Sequence, residues 1–295
     1  DVPLSIARKF WQAMRPHQWL KNALIFLPLI LSHQLNQPTL LLQACIAFLS
    51  FSLVASSVYL LNDMLDLNSD RQHRSKKRRP FASGDLPLSY GYAGAPLLLL
   101  CGFIVALLLP SAFLLVLLAY WLMTTLYSLL LKSLYLIDVL TLASLYTWRI
   151  IAGSAAISVV ITNYLLAFSF FLFLGLAMVK RYTEFLNLQN QGKIAVEGRG
   201  YRVGNLQTLS AVGGASSLIA VAVFAFYINA PATMELYNSP LILWTICPLL
   251  CYLLWRIWAL ARRGELDEDP VLFAITDRRS QLIAALCGLL IWFAI

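Results

Sequence analysis

The sequence predicts an all-α polytopic membrane protein of about nine transmembrane helices. Three observations predict it. The 295 residues are 60% hydrophobic and only 12% charged, about half the charge of an ordinary soluble domain. The apolar residues fall in long runs, most of them near the ~20 residues that a bilayer core requires. The connections between runs alternate strictly between bare and basic.

The apolar runs cover 22–37, 39–61, 91–109, 111–131, 137–158, 160–179, 207–229, 240–260 and 280–295. Each is expected to be helical, because hydrocarbon offers no water to an unpaired backbone group. The fifth is the least uniform, since it contains Arg149 and Gly153, and the ninth is short. SHQLNQP (32–38), the turns at Pro110 and at Thr162-Asn163, and NAPATMELYNSP (229–240) carry no Lys or Arg. The other connections carry Arg8, Lys9, Arg15 and Lys21, the 71–79 cluster, Lys132, Lys180 and Arg181, Lys193, Arg199 and Arg202, then Arg262, Arg263, Arg278 and Arg279. The positive-inside rule therefore puts the N-terminus in the cytoplasm and, with nine spans, the C-terminus outside. The +8 net charge is this asymmetry seen in bulk, so nucleic-acid binding is not needed to explain it.

Composition excludes little else. The five cysteines all lie inside apolar segments, without paired metal spacing, and read as small core residues. Residue 1 is aspartate, which points to a trimmed or longer chain. No cleavable signal peptide is visible.

The acidic residues are less easily explained. Acidic side chains contribute little to topology, yet apart from Asp1 and Glu235 all lie at or near the basic face. The stretch LLNDMLDLNSDRQHRSKKRRPFASG (60–84) concentrates them. Asn62, Asp66 and Asp70 are spaced i, i+4, i+8, and Asp63, Asp66 and Asp70 are spaced i, i+3, i+7. If the second helix runs on, all four point to one side of it. Three carboxylates in one sector repel one another, and a cation relieves the repulsion. Hard oxygen ligands beside room for phosphate suit Mg²⁺, so Asp63, Asp66 and Asp70 are its candidate ligands. Arg71, Arg74, Lys76 and Lys77, continued by Arg78 and Arg79, offer donors to phosphate oxygens. The competing reading is a solvated helix end with a topology-setting basic loop, which explains the arginines but not the one-sided aspartates.

The NDMLDLNSD motif resembles the first aspartate-rich motif of the UbiA superfamily of intramembrane prenyltransferases. The resemblance is closest to the decaprenyl-phosphate phosphoribosyltransferase branch. RPHQWLKN (15–22), RRPFASG (78–84), IDVLTLASLYTWRIIAG (137–153), LAMVKRYTE (176–184) and DEDPVLFAITDRRS (267–280) carry it across nearly the whole chain. It implies an all-helical bundle around a central cavity open to the cytoplasm and lipid, and an internal pseudo-repeat in which the loop after span six corresponds to the loop after span two. Ordinary prenyltransferases of the superfamily have a second aspartate-rich motif there. This chain has KRYTEFLNLQNQGK (180–193) instead, with Lys180, Arg181 and one nearby carboxylate, Glu184. That set suits a phosphate clamp better than a second metal cluster.

The resemblance implies Mg²⁺-dependent transfer from 5-phosphoribosyl-1-diphosphate to a long polyprenyl phosphate in the membrane, for a cell-envelope glycan precursor. It implies a single transferase domain over 1–295, with an extra N-terminal phosphatase-like domain in some relatives. Asn62 is expected to orient the metal shell or a ribose hydroxyl. Gln18 with Lys21, and Lys180 with Arg181, are expected at the lipid phosphate or the 5-phosphate. Asp138 reads as a site residue or a helix N-cap. Arg149 reads as a cavity residue or a buried structural pair. Glu184 reads as a site residue or the i, i+4 partner of Lys180. The mixed-charge loop from Arg262 to Arg279 reads as a cap over the site or a solvated loop. His17, His33 and His73 form no cluster and are not assigned to catalysis.

Two other functions remain open. A true prenyltransferase would need a second pair of metal-binding carboxylates, which 180–202 does not obviously supply. A transporter or lipid-binding protein would need polar residues through the full depth of the bundle, whereas the outer half is almost free of charge.

Overall fold

Apolar runs in lipid have one economical solution, and every regular element of the structure is helical among the described residues. The structure, a computed structural model, describes residues 2–192, 203–266 and 269–295. In chain order the helices are α1 (Val2–Met14), a 3-10 helix (Pro16–Phe26), α2 (Leu27–Leu31), α3 (Pro38–Leu65), α4 (Leu67–Gln72) and α5 (Pro80–Ser83). Then come α6 (Leu88–Ala106), α7 (Ser111–Leu129), α8 (Ile137–Ile157) and α9 (Asn163–Asn190). The last are α10 (Leu206–Ile228), α11 (Pro231–Leu236), a 3-10 turn (Pro240–Thr245), α12 (Ile246–Arg262), α13 (Pro270–Thr276) and α14 (Arg278–Ala294).

Seven helices among the described residues are long and apolar enough to cross a bilayer, not nine. The expected first span is divided: its start lies in the 3-10 helix, and α2 is only five residues long. Pro16 and Pro28 each open a new helical segment there, as proline favours. Side-chain bonds also hold the segment to α3, since Trp19 donates to Ser56 at 2.8 Å and Asn22 to Ser52 at 3.0 Å. The expected ninth span is α14, of 17 residues, which is marginal for a crossing.

The chain forms two compact units. One runs to Leu130 and includes Trp148–Val160; the other comprises Leu131–Thr147 and Ile161–Ile295.

In the first unit α3 is the central helix. Its buried serines bond to neighbouring carbonyls, Ser50 to Gly102 at 2.8 Å, Ser56 to Met14 at 2.8 Å and Ser57 to Ala95 at 2.7 Å. Small polar residues of this kind let helices approach closely in lipid. Ala13, Leu60, Phe81, Leu86 and Ala95 form a buried cluster under α1. Gly153 must be glycine, because a Cβ there would lie 2.0 Å from the Ile25 carbonyl oxygen.

In the second unit α9 runs eleven residues past the apolar stretch, which ends at 179, and so carries Lys180, Arg181 and Glu184 in helical register. Its N-cap is Thr162, whose hydroxyl accepts from the Leu165 N–H at 3.3 Å. Ile228, Tyr237, Leu243, Ile246 and Ala294 close the other end in a second buried cluster. α3 and α9 are both 28 residues long and both bear their charged side chains near the C-terminal end.

Candidate active site

The first charged cluster is built where α3 stops. Asn62 and Asp63 lie in its last turn, Asp66 is its C-cap with φ −90° and ψ 13°, and Asp70 is on α4. Asp63 and Asp70 are buried, while Asn62 and Asp66 are half-buried. One guanidinium joins the two buried carboxylates: Arg79 Nη1 donates to Asp63 Oδ1 at 3.2 Å and to Asp70 Oδ2 at 2.8 Å. Arg15 also donates to Asp63 Oδ1, and its guanidinium lies 5.3 Å from the Tyr59 ring centroid.

The three aspartates therefore do not make one ligand set as expected. Among the described residues, no group of three His, Cys, Asp or Glu side chains is close enough to hold an ion. The helix breaks at Asp66, and arginines lie against the two buried carboxylates. The geometry still fits a cation. Two carboxylate oxygens converge on a single nitrogen, and both are hard ligands of the kind Mg²⁺ takes.

The rest of the predicted basic run is solvent-facing. Arg71, Arg74, Lys76, Lys77 and Arg78 are exposed, and Arg71 Nε donates to the Ala82 carbonyl at 3.3 Å. Gln18 and Lys21 are half-buried on the 3-10 helix. Burial, with the charges of Arg15 and Lys21 beside it, pushes His17 below the ordinary imidazole value.

Arg149 is buried within the first unit. Its Nε donates to Asn22 Oδ1 at 2.9 Å, and its guanidinium lies 5.6 Å from the ring centroids of both Phe51 and Tyr120. These contacts are those of the buried-pair reading of Arg149.

The second cluster is in the second unit. Arg181 donates to both oxygens of Asp138, Nη2 to Oδ1 at 2.9 Å and Nε to Oδ2, and Nη1 reaches Glu184 at 2.6 Å. Asp138 is thus an ion-pair partner. Lys180 donates to Asp269 at 3.0 Å, so the expected Lys180–Glu184 pair does not form. Within the 262–279 loop, Asp267 and Glu268 lie outside the described residues, while Arg256 binds Asp277 at 2.5 and 3.2 Å. The Arg256 guanidinium holds Asp277 well below the usual carboxylate range.

Sequence reasoning missed Arg15, Asn22 and Asp269 as partners. The signal for the first two was at hand, since both stand inside RPHQWLKN. Backbone strain marks two of these places: Arg15 (φ 52°) and Leu136 (φ 61°), just before Asp138, both adopt the left-handed region. That costs a non-glycine residue about 1–3 kcal/mol and commonly clusters at functional sites.

Residues 23–286 match the model of the UbiA prenyltransferase family. The chain belongs to this family. Among curated relatives, it is 35% identical over 275 residues to an uncharacterized protein, y4nM, of Sinorhizobium fredii. That match covers 92% of this chain and 53% of the relative, so the chain spans about half of that protein's length. It is 31% identical to the nodulation protein NoeC of Azorhizobium caulinodans, over 92% of this chain and 88% of that one. It is 26% identical to the decaprenyl-phosphate phosphoribosyltransferase of Mycolicibacterium smegmatis, over 95% and 90%. The fold matches a UbiA homolog from Archaeoglobus fulgidus bound to GPP and Mg²⁺, with a TM-score of 0.73 at 18% identity, over 96% of this chain and 97% of that one. The UbiA-family protein is thus an integral membrane protein with the fold of its family.

Proposed function

We propose that the protein transfers a 5-phosphoribosyl group from 5-phosphoribosyl-1-diphosphate to a long-chain, decaprenyl-type polyprenyl phosphate and releases diphosphate. The observation that carries this reading is the second cluster. Where the resemblance to ordinary prenyltransferases of the superfamily leads one to expect a second acidic motif, α9 bears Lys180 and Arg181 with Glu184 as its one carboxylate, the two cations pairing with Asp269 and with Asp138 and Glu184. Similarity to the Mycolicibacterium smegmatis enzyme along 95% of the chain supports it.

Asp63 and Asp70, with Asp66 and Asn62 beside them, are the residues that would hold Mg²⁺. When bound, the ion supplies a Lewis acid for the leaving diphosphate. Arg71, Arg74, Lys76 and Lys77 offer charge-assisted donors to the donor's phosphate oxygens. Gln18 with Lys21, and Lys180, serve the lipid phosphate or the 5-phosphate. A lipid phosphate oxygen attacks ribose C1, the C1–O bond to diphosphate breaks, and the electron pair leaves with diphosphate. The attacking oxygen is already ionised near neutrality, so no base is required. Positioning and fixed positive charge then do most of the work. The basic connections favour a cytoplasmic N-terminus and a site on that side. We take residues 1–295 as one transferase domain.

The test is a transfer assay in liposomes with Mg²⁺, using labelled 5-phosphoribosyl-1-diphosphate and decaprenyl phosphate. Label should enter the lipid fraction with wild-type protein and not with Asp63→Asn. A parallel reaction contains geranyl diphosphate and 4-hydroxybenzoate. Product only there would sink the reading and favour prenyl transfer, the alternative suggested by the GPP-bound fold neighbour.

A further inference from the structure

Two cavities open in the second unit, and Arg262 lines both. The first, about 270 Å³, lies between α10 and α12 and is walled by Gly214, Leu218, Val221, Leu254, Trp255 and Trp258. The second, about 360 Å³, is walled by Tyr182, Gln207 and Ser210 among others. An apolar groove and a polar recess thus share one cation.

Arg262 is exposed, donates from Nη2 to Ser210 Oγ at 3.0 Å, and lies 5.9 Å from the Trp258 ring centroid. The Tyr182 ring meets Trp258 edge-on at 5.9 Å. Trp258 is 6% exposed, yet its buried Nε1–H has no acceptor among the described residues. A buried N–H without a partner costs free energy until an acceptor reaches it. The groove faces outward, for Leu218 is 69% and Trp255 65% exposed on helices fit to cross a bilayer. Its natural solvent is therefore lipid tails.

We infer that this is a binding site for an anionic glycerophospholipid, with one acyl chain in the α10–α12 groove and the phosphodiester on Arg262. The charge balance selects the head group. A phosphodiester carries one negative charge, which one arginine with the neutral donors Ser210 and Gln207 can match. A phosphomonoester carries ~1.5 to 2 charges near neutrality and calls for more cations than the described residues of this recess supply. The lipid here is therefore of a different class from the acceptor of the proposed reaction, and the site does not depend on that reaction.

The test is native mass spectrometry of the full chain in detergent, titrated with dioleoylphosphatidylglycerol. Dioleoylphosphatidylcholine and decaprenyl phosphate serve as comparators. One phosphatidylglycerol should bind per chain, ahead of both comparators. Arg262→Gln should weaken it about five-fold, the share expected of one surface cation. Gly214→Leu should abolish it by filling the groove. A Cβ at Gly214 meets nothing within 4 Å, so the fold has room for the change. Should that variant nevertheless lose its thermal transition, Arg262→Gln alone decides. Phosphatidylglycerol binding that is unchanged in Arg262→Gln, or decaprenyl phosphate outcompeting it, would overturn the assignment.

Discussion

Asp138 and Arg181 form a two-pronged ion pair with almost no contact with solvent, the carboxylate 0% and the arginine 1% exposed. Removing one partner strands the other charge in a medium that cannot solvate it. Asp138→Ala should cost about 3–5 kcal/mol, read as a lower unfolding midpoint in detergent. Arg181→Lys should also destabilise, because an ammonium cannot reproduce the paired donors of a guanidinium.

The Asp63–Asp70 pair makes a separate claim about metal. Mg²⁺ should raise the thermal midpoint of the wild-type protein, and Asp63→Asn should remove most of that shift. Transfer activity should fall by on the order of 10²-fold or more, the scale of losing one electrostatic contributor at a reacting centre. A full Mg²⁺ shift in the variant would place the ion elsewhere.

Arg149 and Asn22 should behave as a coupled pair. Arg149→Met leaves the buried Asn22 oxygen short of a donor and should cost about 1–3 kcal/mol. Adding Asn22→Leu should then cost less than it does in the wild-type background, with a coupling of about 0.5–3 kcal/mol in the double-mutant cycle. Simple additivity would show that the 2.9 Å contact carries no weight of its own.

Asp277 offers a pH test. Arg256, together with the Ser280 N–H at 2.9 Å, favours its charged form and depresses its folded-state value. Its contribution is therefore fully present above the unfolded carboxylate value of about 4 and is lost as pH falls toward the folded one. Asp277→Asn should lower the midpoint at pH 7 and flatten its decline below about pH 4. A parallel acid limb in the variant would rule out this pair as a cause.

Local pattern made much of this visible beforehand. The apolar runs at 39–61 and 160–179 became α3 and α9, and of the three aspartates expected in one sector, Asp63 and Asp70 both reach one nitrogen of Arg79. The break at Asp66 was not visible, because the same spacing describes an uninterrupted helix equally well. Long-range partners were also hidden. Arg15 lies 48 residues from Asp63, and Lys180 lies 89 from Asp269, and nothing in periodicity relates such distant positions. The division of the first span, expected over 22–37, was hidden because hydropathy counts apolar residues without registering what Pro16 and Pro28 do to the backbone.

The two guanidiniums on Asp63 and Asp70 mean that this acidic pocket arrives already neutralised. A cation entering it brings an exchange of counter-ions rather than a simple gain of attraction, so alone it should be held weakly. Each arginine it displaces needs a fresh anion, and a diphosphate travelling with the cation supplies one. Ion and diphosphate then strengthen each other's hold by the same factor, as linkage requires. The pocket would thus discriminate against free metal and free phosphate alike, and accept the preformed complex of the two.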